Sequence, residues 1–301
     1  MGNSVKKVLI TGAGSYIGTS FLSYIKEHES KIQINTLDML SSDWRSHDFS
    51  CYDSIFHVAG IAHADVSKVS QEVIDLYYCV NTKLTIEVAT KARDCGVRQF
   101  IFMSSMIVYG DACVVTQETK PNPSNFYGDS KLQAEIGLAS LATDEFLVAI
   151  MRPPMIYGRD SKGNFPLLAK LAKKTPIFPK SQNERSMLYV EHLCEFVRQV
   201  ILYEDSGIFF PQNKEYVTTS DLVYEISRAI GKKLFRVSGC ICLIHFMQWI
   251  CAKIPLAFTR KVSNLLHKVF STLRYEKIMS DYRENTYQMY DFRKTIEKSV
   301  G

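Results

Sequence analysis

The chain is 301 residues long, 46% hydrophobic and 22% charged, with a formal net charge of +5. This is a globular composition with room for one large domain or two unequal ones, and it excludes a disordered or fibrous chain. The eight cysteines (51, 79, 95, 113, 194, 240, 242 and 251) are scattered and none joins a histidine set at zinc spacing, so free thiols in a reducing cytoplasm are expected, and no metal site.

After Lys6 and Lys7 the first apolar run is only Val8-Leu9-Ile10, too short for a signal peptide. It reads as a buried strand entering Thr11-Gly12-Ala13-Gly14-Ser15-Tyr16-Ile17-Gly18, followed by a helix. Strand, tight glycine turn and helix N-terminus is the order a dinucleotide site needs. Gly12 permits the sharp turn. The first helical N–H groups, near Tyr16 and Ile17, lack an intrahelical partner and point at a pyrophosphate, which the helix dipole also favours. Gly18 lets the helix lie close on the strand. Asp38 ends the next strand (32–37), 20 residues after Gly18. An acid there takes both hydroxyls of an adenosine ribose and repels a 2′-phosphate, which favours NAD. The plainer alternative is a loop-capping acid.

The run TGAGSYIG resembles the TGxxGxxG turn of the extended short-chain dehydrogenases, the family of nucleotide-sugar epimerases, dehydratases and reductases. Ser15 stands where that family has its middle glycine, with Gly14 one place earlier.

Strands read at 8–10, 32–37, 54–58, 99–103 and 146–151, and helices at about 16–28, 68–95 and 125–142. This is the βαβ rhythm of a doubly wound parallel α/β sheet, a Rossmann fold. Residues 53–60 (DSIFHVAG) form a strand ending in Ala59 and Gly60, small enough for a cofactor to approach the backbone. The resemblance implies that this end lies beside the nicotinamide half. It also implies an adenine contact at Asp48 and an Asn at position 81 bonding into the active-site backbone. His63 either faces substrate or is structural.

Phe100 to Ser105 is a buried strand ending in hydroxyls, and ligands in this fold bind beyond the carboxyl ends of the strands. About 20 residues later comes SNFYGDSK, with Ser124 the expected N-cap. Tyr127 and Lys131 are four apart and share a helix face. A phenol with a pKa near ~10 is a poor base at neutral pH. An ammonium and a positive nicotinamide ring favour its ionised form. Lys131 can also hold the nicotinamide ribose. Ser105, which aligns with the family's catalytic hydroxyl, can donate to the reacting oxygen. The family's 4,6-dehydratases carry Thr-Asp-Glu at this point. Ser105-Met106-Ile107 has no carboxylic acid there, which disfavours dehydration.

Residues 151–158 (MRPPMIYG) resemble the family's crossover into its smaller domain, with Met155 in place of an Asn that contacts the diphosphate. Gly163-Asn164-Phe165 resembles the segment whose Asn lies near the nucleotide. Residues 185–193 (RSMLYVEHL) resemble RDYIHVxDL, which carries Arg185 over as the diphosphate arginine. The expected division is a cofactor domain over 1–155 with 188–203 packing back onto it. Residues 156–187 and 204–301 then form a smaller C-terminal α/β substrate lobe.

From Arg228 to Gly301 there are 14 Lys/Arg against 5 Asp/Glu, a balance of +9, and the remainder balances at −4. A basic C-terminal part suits a diphosphate ligand, an anionic membrane surface or simply a solvated face. Gly239 to Phe258 is apolar but too short before Pro255 for a comfortable membrane span. It reads as buried in the small lobe, with peripheral membrane contact through Arg260, Lys261, Lys268 and Arg274 as the alternative. Nothing resembles a nucleic-acid module.

The resemblance covers about residues 5–230 and implies a cytoplasmic, homodimeric enzyme with NAD and a nucleotide-sugar substrate. The leading expectation is a UDP-sugar 4-epimerase of bacterial surface-polysaccharide synthesis, using Ser105, Tyr127 and Lys131. The alternatives are a reductase of a nucleotide-linked 4-keto-6-deoxy sugar, a lipid-diphosphate sugar epimerase and a non-enzymatic NAD sensor.

Overall fold

A computed structural model of the chain describes residues 5–62, 69–238 and 269–301. His63, the apolar run 239–258, Arg260, Lys261 and Lys268 lie outside the described residues.

The first half alternates strand and helix. β1 (Lys6–Thr11), α1 (Tyr16–His28), β2 (Ile32–Leu37) and β3 (Ser54–His57) lead to α2 (Gln71–Tyr77), a π-helical turn (Tyr78–Leu84) and α3 (Thr85–Asp94). Then follow β4 (Gln99–Met103), β5 (Val114–Val115), α4 (Phe126–Leu141) and β6 (Leu147–Met151). The second half holds β7 (Met155–Tyr157), α5 (Asn164–Lys174), β8 (Ile177–Pro179), β9 (Met187–Tyr189) and α6 (Val190–Tyr203). It ends with β10 (Gly207–Phe209), α7 (Thr219–Ala229), β11 (Phe235–Val237), β12 (Arg274–Tyr275) and α8 (Phe292–Val300).

The main sheet has six parallel strands in the order β10-β6-β4-β3-β1-β2. Both of its faces are covered, so its central strands are buried and largely apolar, and alternate residues enter opposite layers. Val8, Ile10, Phe56, Ile101 and Met151 pack in one layer with Phe21 and Ile25 of α1 and Phe196 and Val197 of α6. Leu9, Ile55, Phe100, Phe102 and Val148 pack in the other with Val88 and Ala92 of α3 and Ala134 and Leu138 of α4. The chain leaves β1 for β2 on one side and returns to β3 on the other. This reversal opens a crevice at the carboxyl ends of β1 and β3.

The second half of the chain returns to the main sheet. α6 lies against α1, where Tyr24 donates to Glu195 at 2.9 Å and Arg198 pairs with Glu29 at 2.6 Å. Gly207–Phe209, expected in the small lobe, is instead the edge strand β10 of the main sheet, in register with Ala149–Met151. Its short apolar sequence carries no period long enough to reveal this pairing. Three two-stranded pairs, β11-β8, β12-β5 and β7-β9, complete the described sheet structure.

Candidate active site

Close neighbours dictate the glycine turn. Gly12 has φ +102°, and a Cβ there would sit 2.6 Å from the Ala59 nitrogen, so only glycine fits. Ser15 caps α1, its Oγ accepting from the Gly18 N–H at 3.1 Å. The Tyr16 and Ile17 N–H groups are left at the helix mouth without an intrahelical acceptor. A Cβ on Gly18 would lie 3.2 Å from side-chain carbons of Ile10 and Val58, which is how α1 packs tightly on the sheet. Gly12 and Ala13 donate to the Leu37 carbonyl at 3.0 and 3.1 Å, and the next residue, Asp38, is exposed beside the turn. Its Oδ1 accepts from the Leu40 N–H at 3.0 Å.

At the end of β3, Val58 and Ala59 both donate to the Thr11 carbonyl at 3.0 Å. A Cβ on Gly60 would come within 3.1 Å of both Lys131 Nζ and Asn81 Oδ1. Asn81, fully buried on the π-helical turn, accepts from the Ile61 N–H at 2.8 Å and donates to the Ile61 carbonyl and Ser130 Oγ at 3.0 Å. It acts on the loop after β3 and does not itself line the cavity.

The reactive hydroxyls sit beyond β4. Ser104 also borders the crevice, but its hydroxyl is committed to Glu135, to which it donates. Ser105 accepts from the Ile107 N–H at 3.3 Å and faces the crevice with Tyr127 and Lys131. α4 is capped by Asn125, not by Ser124, with Oδ1 accepting from the Gly128 N–H at 2.9 Å. Both residue types cap well, and one residue of register decided between them. Burial raises the Tyr127 phenol to about 12, opposite to the lowering expected from Lys131, while its hydrogen bond with Ser105 pulls the other way. Burial lowers the Lys131 ammonium to about 8, opposed by Glu135, and Nζ donates to the Met103 carbonyl at 2.9 Å.

These groups share one cavity of about 700 Å³. It runs from Ser15, Tyr16 and Ile17 past Gly60, Ser105, Tyr127 and Lys131 to Lys162, Asn164 and Arg185. Asn164 opens α5 after Gly163, which has φ +90°. The Arg185 backbone bridges Val217 and Leu273, and its Nη1 donates to the Ser271 carbonyl at 3.4 Å. Asp48, like Asp38, stands apart from this wall. It is exposed, does not line the cavity, and accepts from the Ser50 N–H at 2.9 Å, a bond that lowers its carboxyl pKa. The structure accounts for it as a turn cap.

The model of the NAD dependent epimerase/dehydratase family matches residues 8–209. The chain belongs to that family. It is 30% identical over 257 residues to a UDP-glucose 4-epimerase of Vibrio cholerae, covering 77% of this chain and 78% of the relative. It is also 30% identical over 250 residues to an N-acetyl-alpha-D-glucosaminyl-diphospho-ditrans,octacis-undecaprenol 4-epimerase of Escherichia coli O157:H7, covering 75% and 73%. The fold matches a UDP-glucuronic acid 4-epimerase variant from Bacillus cereus, solved with NAD, at a TM-score of 0.68 and 16% identity over 98% of both chains.

As a member of this epimerase/dehydratase family, the chain is an enzyme that uses NAD. The turn fits that cofactor. Gly12 lets the turn close against the Ala59 backbone, two helix-mouth N–H groups have no intrahelical acceptor to compete with an anion, and the buried Tyr16 Oη has no hydrogen-bond partner among the described residues.

Beneath the site lies a buried polar network without a sequence signature of its own. Arg152 Nε lies 3.1 Å from each Glu135 oxygen, and Nη1 donates to Tyr109 Oη at 2.6 Å. Tyr275 donates to the Arg152 carbonyl at 2.9 Å, which ties β12 to the end of β6. The available signal was Glu135 standing four residues after Lys131 on the same helix face. His57, also buried, sits 2.7 Å from Thr11 Oγ1 and 3.1 Å from Thr85 Oγ1. Burial and the Lys131 charge lower it to about 3, so it is neutral at physiological pH.

Proposed function

We propose that the chain is a UDP-sugar 4-epimerase acting through a transient 4-keto sugar. The observation that carries this reading is one cavity wall holding Ser105, Tyr127 and Lys131 together, with no Asp or Glu among its described lining residues. NAD supplies a reversible hydride acceptor and a positive ring beside the phenol. Tyr127 takes the proton from the sugar 4-hydroxyl and later returns it to the same oxygen. Ser105 donates a hydrogen bond to that oxygen and to the carbonyl it becomes. Lys131 holds the nicotinamide ribose and keeps positive charge near the phenol. Gly12, Ser15, Tyr16, Ile17 and Gly18 hold the pyrophosphate, and Asp38 takes the adenosine ribose. Gly60 lets the nicotinamide half approach, and Ala59 and Asn81 fix the backbone beneath it. Asn164 and Arg185 take the substrate diphosphate. Met106 and Ile107 offer no acid or base for loss of water.

A second reading keeps the reaction and changes the carrier to an undecaprenyl diphosphate. Support comes from the equal identity to the Escherichia coli relative and from the apolar stretch Pro153, Pro154, Met155 and Ile156 of the cavity wall.

The test is to incubate purified, cofactor-loaded protein with UDP-hexoses and with lipid-diphosphate N-acetylhexosamine, adding no nicotinamide. Interconversion is expected, and the substrate that turns over identifies the carrier. Turnover of a 4-keto sugar alone, with stoichiometric NAD(P)H, makes the enzyme a reductase. Retained activity in Tyr127→Phe overturns the catalytic assignment.

A further inference from the structure

The charge lining the cavity is one-sided. Its described wall carries Lys131, Lys162 and Arg185 and no carboxylate. Lys131 is buried at the reaction end and committed to the Met103 carbonyl. Arg185 is anchored at the opposite end by its backbone bridges and its bond to Ser271. Lys162 is exposed and forms no ion pair among the described residues. It stands two residues before Asn164, across Gly163, where α5 begins with no acid in its first turn. Asn164 and Arg185 also border a small apolar recess with Met155, away from the glycine turn.

We infer that Lys162 is a determinant of substrate binding that pairs with the substrate's diphosphate, opposite Arg185. The inference rests on the epimerase reading above. A sugar diphosphate ester brings two negative charges, and one guanidinium matches only one of them. Met155 presents no donor at the crossover. Lys162 supplies the second cation from the next loop, on a flexible stem suited to a phosphate oxygen. The cofactor's own pyrophosphate is served by the mouth of α1, so the lysine discriminates between the two anions. A nucleoside or an isoprenoid carrier would present the same diphosphate.

The experiment titrates UDP and farnesyl diphosphate into NAD-loaded wild type, Lys162→Gln and Lys162→Arg by calorimetry, followed by steady-state kinetics. For whichever diphosphate binds the wild type, Lys162→Gln is expected to weaken it on the order of 10-fold, and Lys162→Arg to restore most of that. The loss should fall on KM far more than on kcat, with NAD content unchanged and a shallower salt dependence. Unchanged diphosphate affinity in Lys162→Gln, an equal loss of NAD, or no diphosphate binding by the wild type overturns the assignment. If no sugar is epimerised but Lys162→Gln still weakens diphosphate binding, the epimerase reading fails and the Lys162 assignment stands.

Discussion

Asn81 grips Ile61 by both of its backbone groups, accepting its N–H at 2.8 Å and donating to its carbonyl at 3.0 Å. The loop after β3 is therefore held by one side chain from a π-helical turn, a departure from regular helix often found at functional sites. Asn81→Leu removes both bonds and the one to Ser130, leaving buried groups unpaired. The expected cost is ~2–4 kcal/mol in urea unfolding. NAD retention should fall with it, because Gly60 is the adjoining residue. A variant with wild-type stability and full NAD content would show that the loop is held by something else.

Gly12 and Gly14 both have positive φ, +102° and +78°, but only Gly12 is enclosed. Gly12→Ala drives a methyl into the Ala59 backbone and should abolish NAD retention. Gly14→Ala meets nothing within 4 Å and carries only the conformational penalty, ~1 kcal/mol. Bound-cofactor absorbance and melting temperature separate the two. Equal losses in both variants would mean that φ, and not the close approach, dictates glycine at the turn.

The glycine turn, five of the six main-sheet strands, and the helix that carries Tyr127 and Lys131 were legible because each is a local pattern. Val8-Leu9-Ile10 needs only burial on two faces, and Tyr127 and Lys131 need only helical spacing. Contacts between distant segments were not legible. The β10–β6 pairing joins residues 207–209 to 149–151, and the Glu135–Arg152 pair joins α4 to the end of β6. At Asp48 and Asp38 a family position suggests a ligand contact, and a turn bond to a backbone N–H two residues on already engages one carboxylate oxygen.

The Glu135–Arg152 pair is almost wholly buried, with side-chain exposures of 4% and 7%. Removing one partner strands the other charge. Arg152→Leu alone should cost ~3–5 kcal/mol, and adding Glu135→Leu should recover part of that loss. A double-mutant cycle by urea unfolding reads the coupling. Additive single losses would mean that packing with Tyr109 and Tyr275, and not charge, makes the site sensitive.

Lys131 combines function with a stability cost. Its pKa falls from 10.5 to about 8 because burial disfavours the ammonium. A depressed lysine pKa means that the folded state holds fewer protons than the unfolded state between those two values. The wild type therefore gains stability as pH rises from about 8 towards 10.5. Below about pH 8 the full cost of the buried charge is present. Lys131→Met removes that cost and should abolish turnover while raising stability at pH 7 by on the order of 1–2 kcal/mol. The advantage should shrink between pH 8 and pH 10, because only the wild type has the titrating group. Unfolding free energies of the two proteins at pH 7 and pH 9.5 decide it. A gap that is constant with pH would show that the bond from Nζ to the Met103 carbonyl already offsets the burial of the charge.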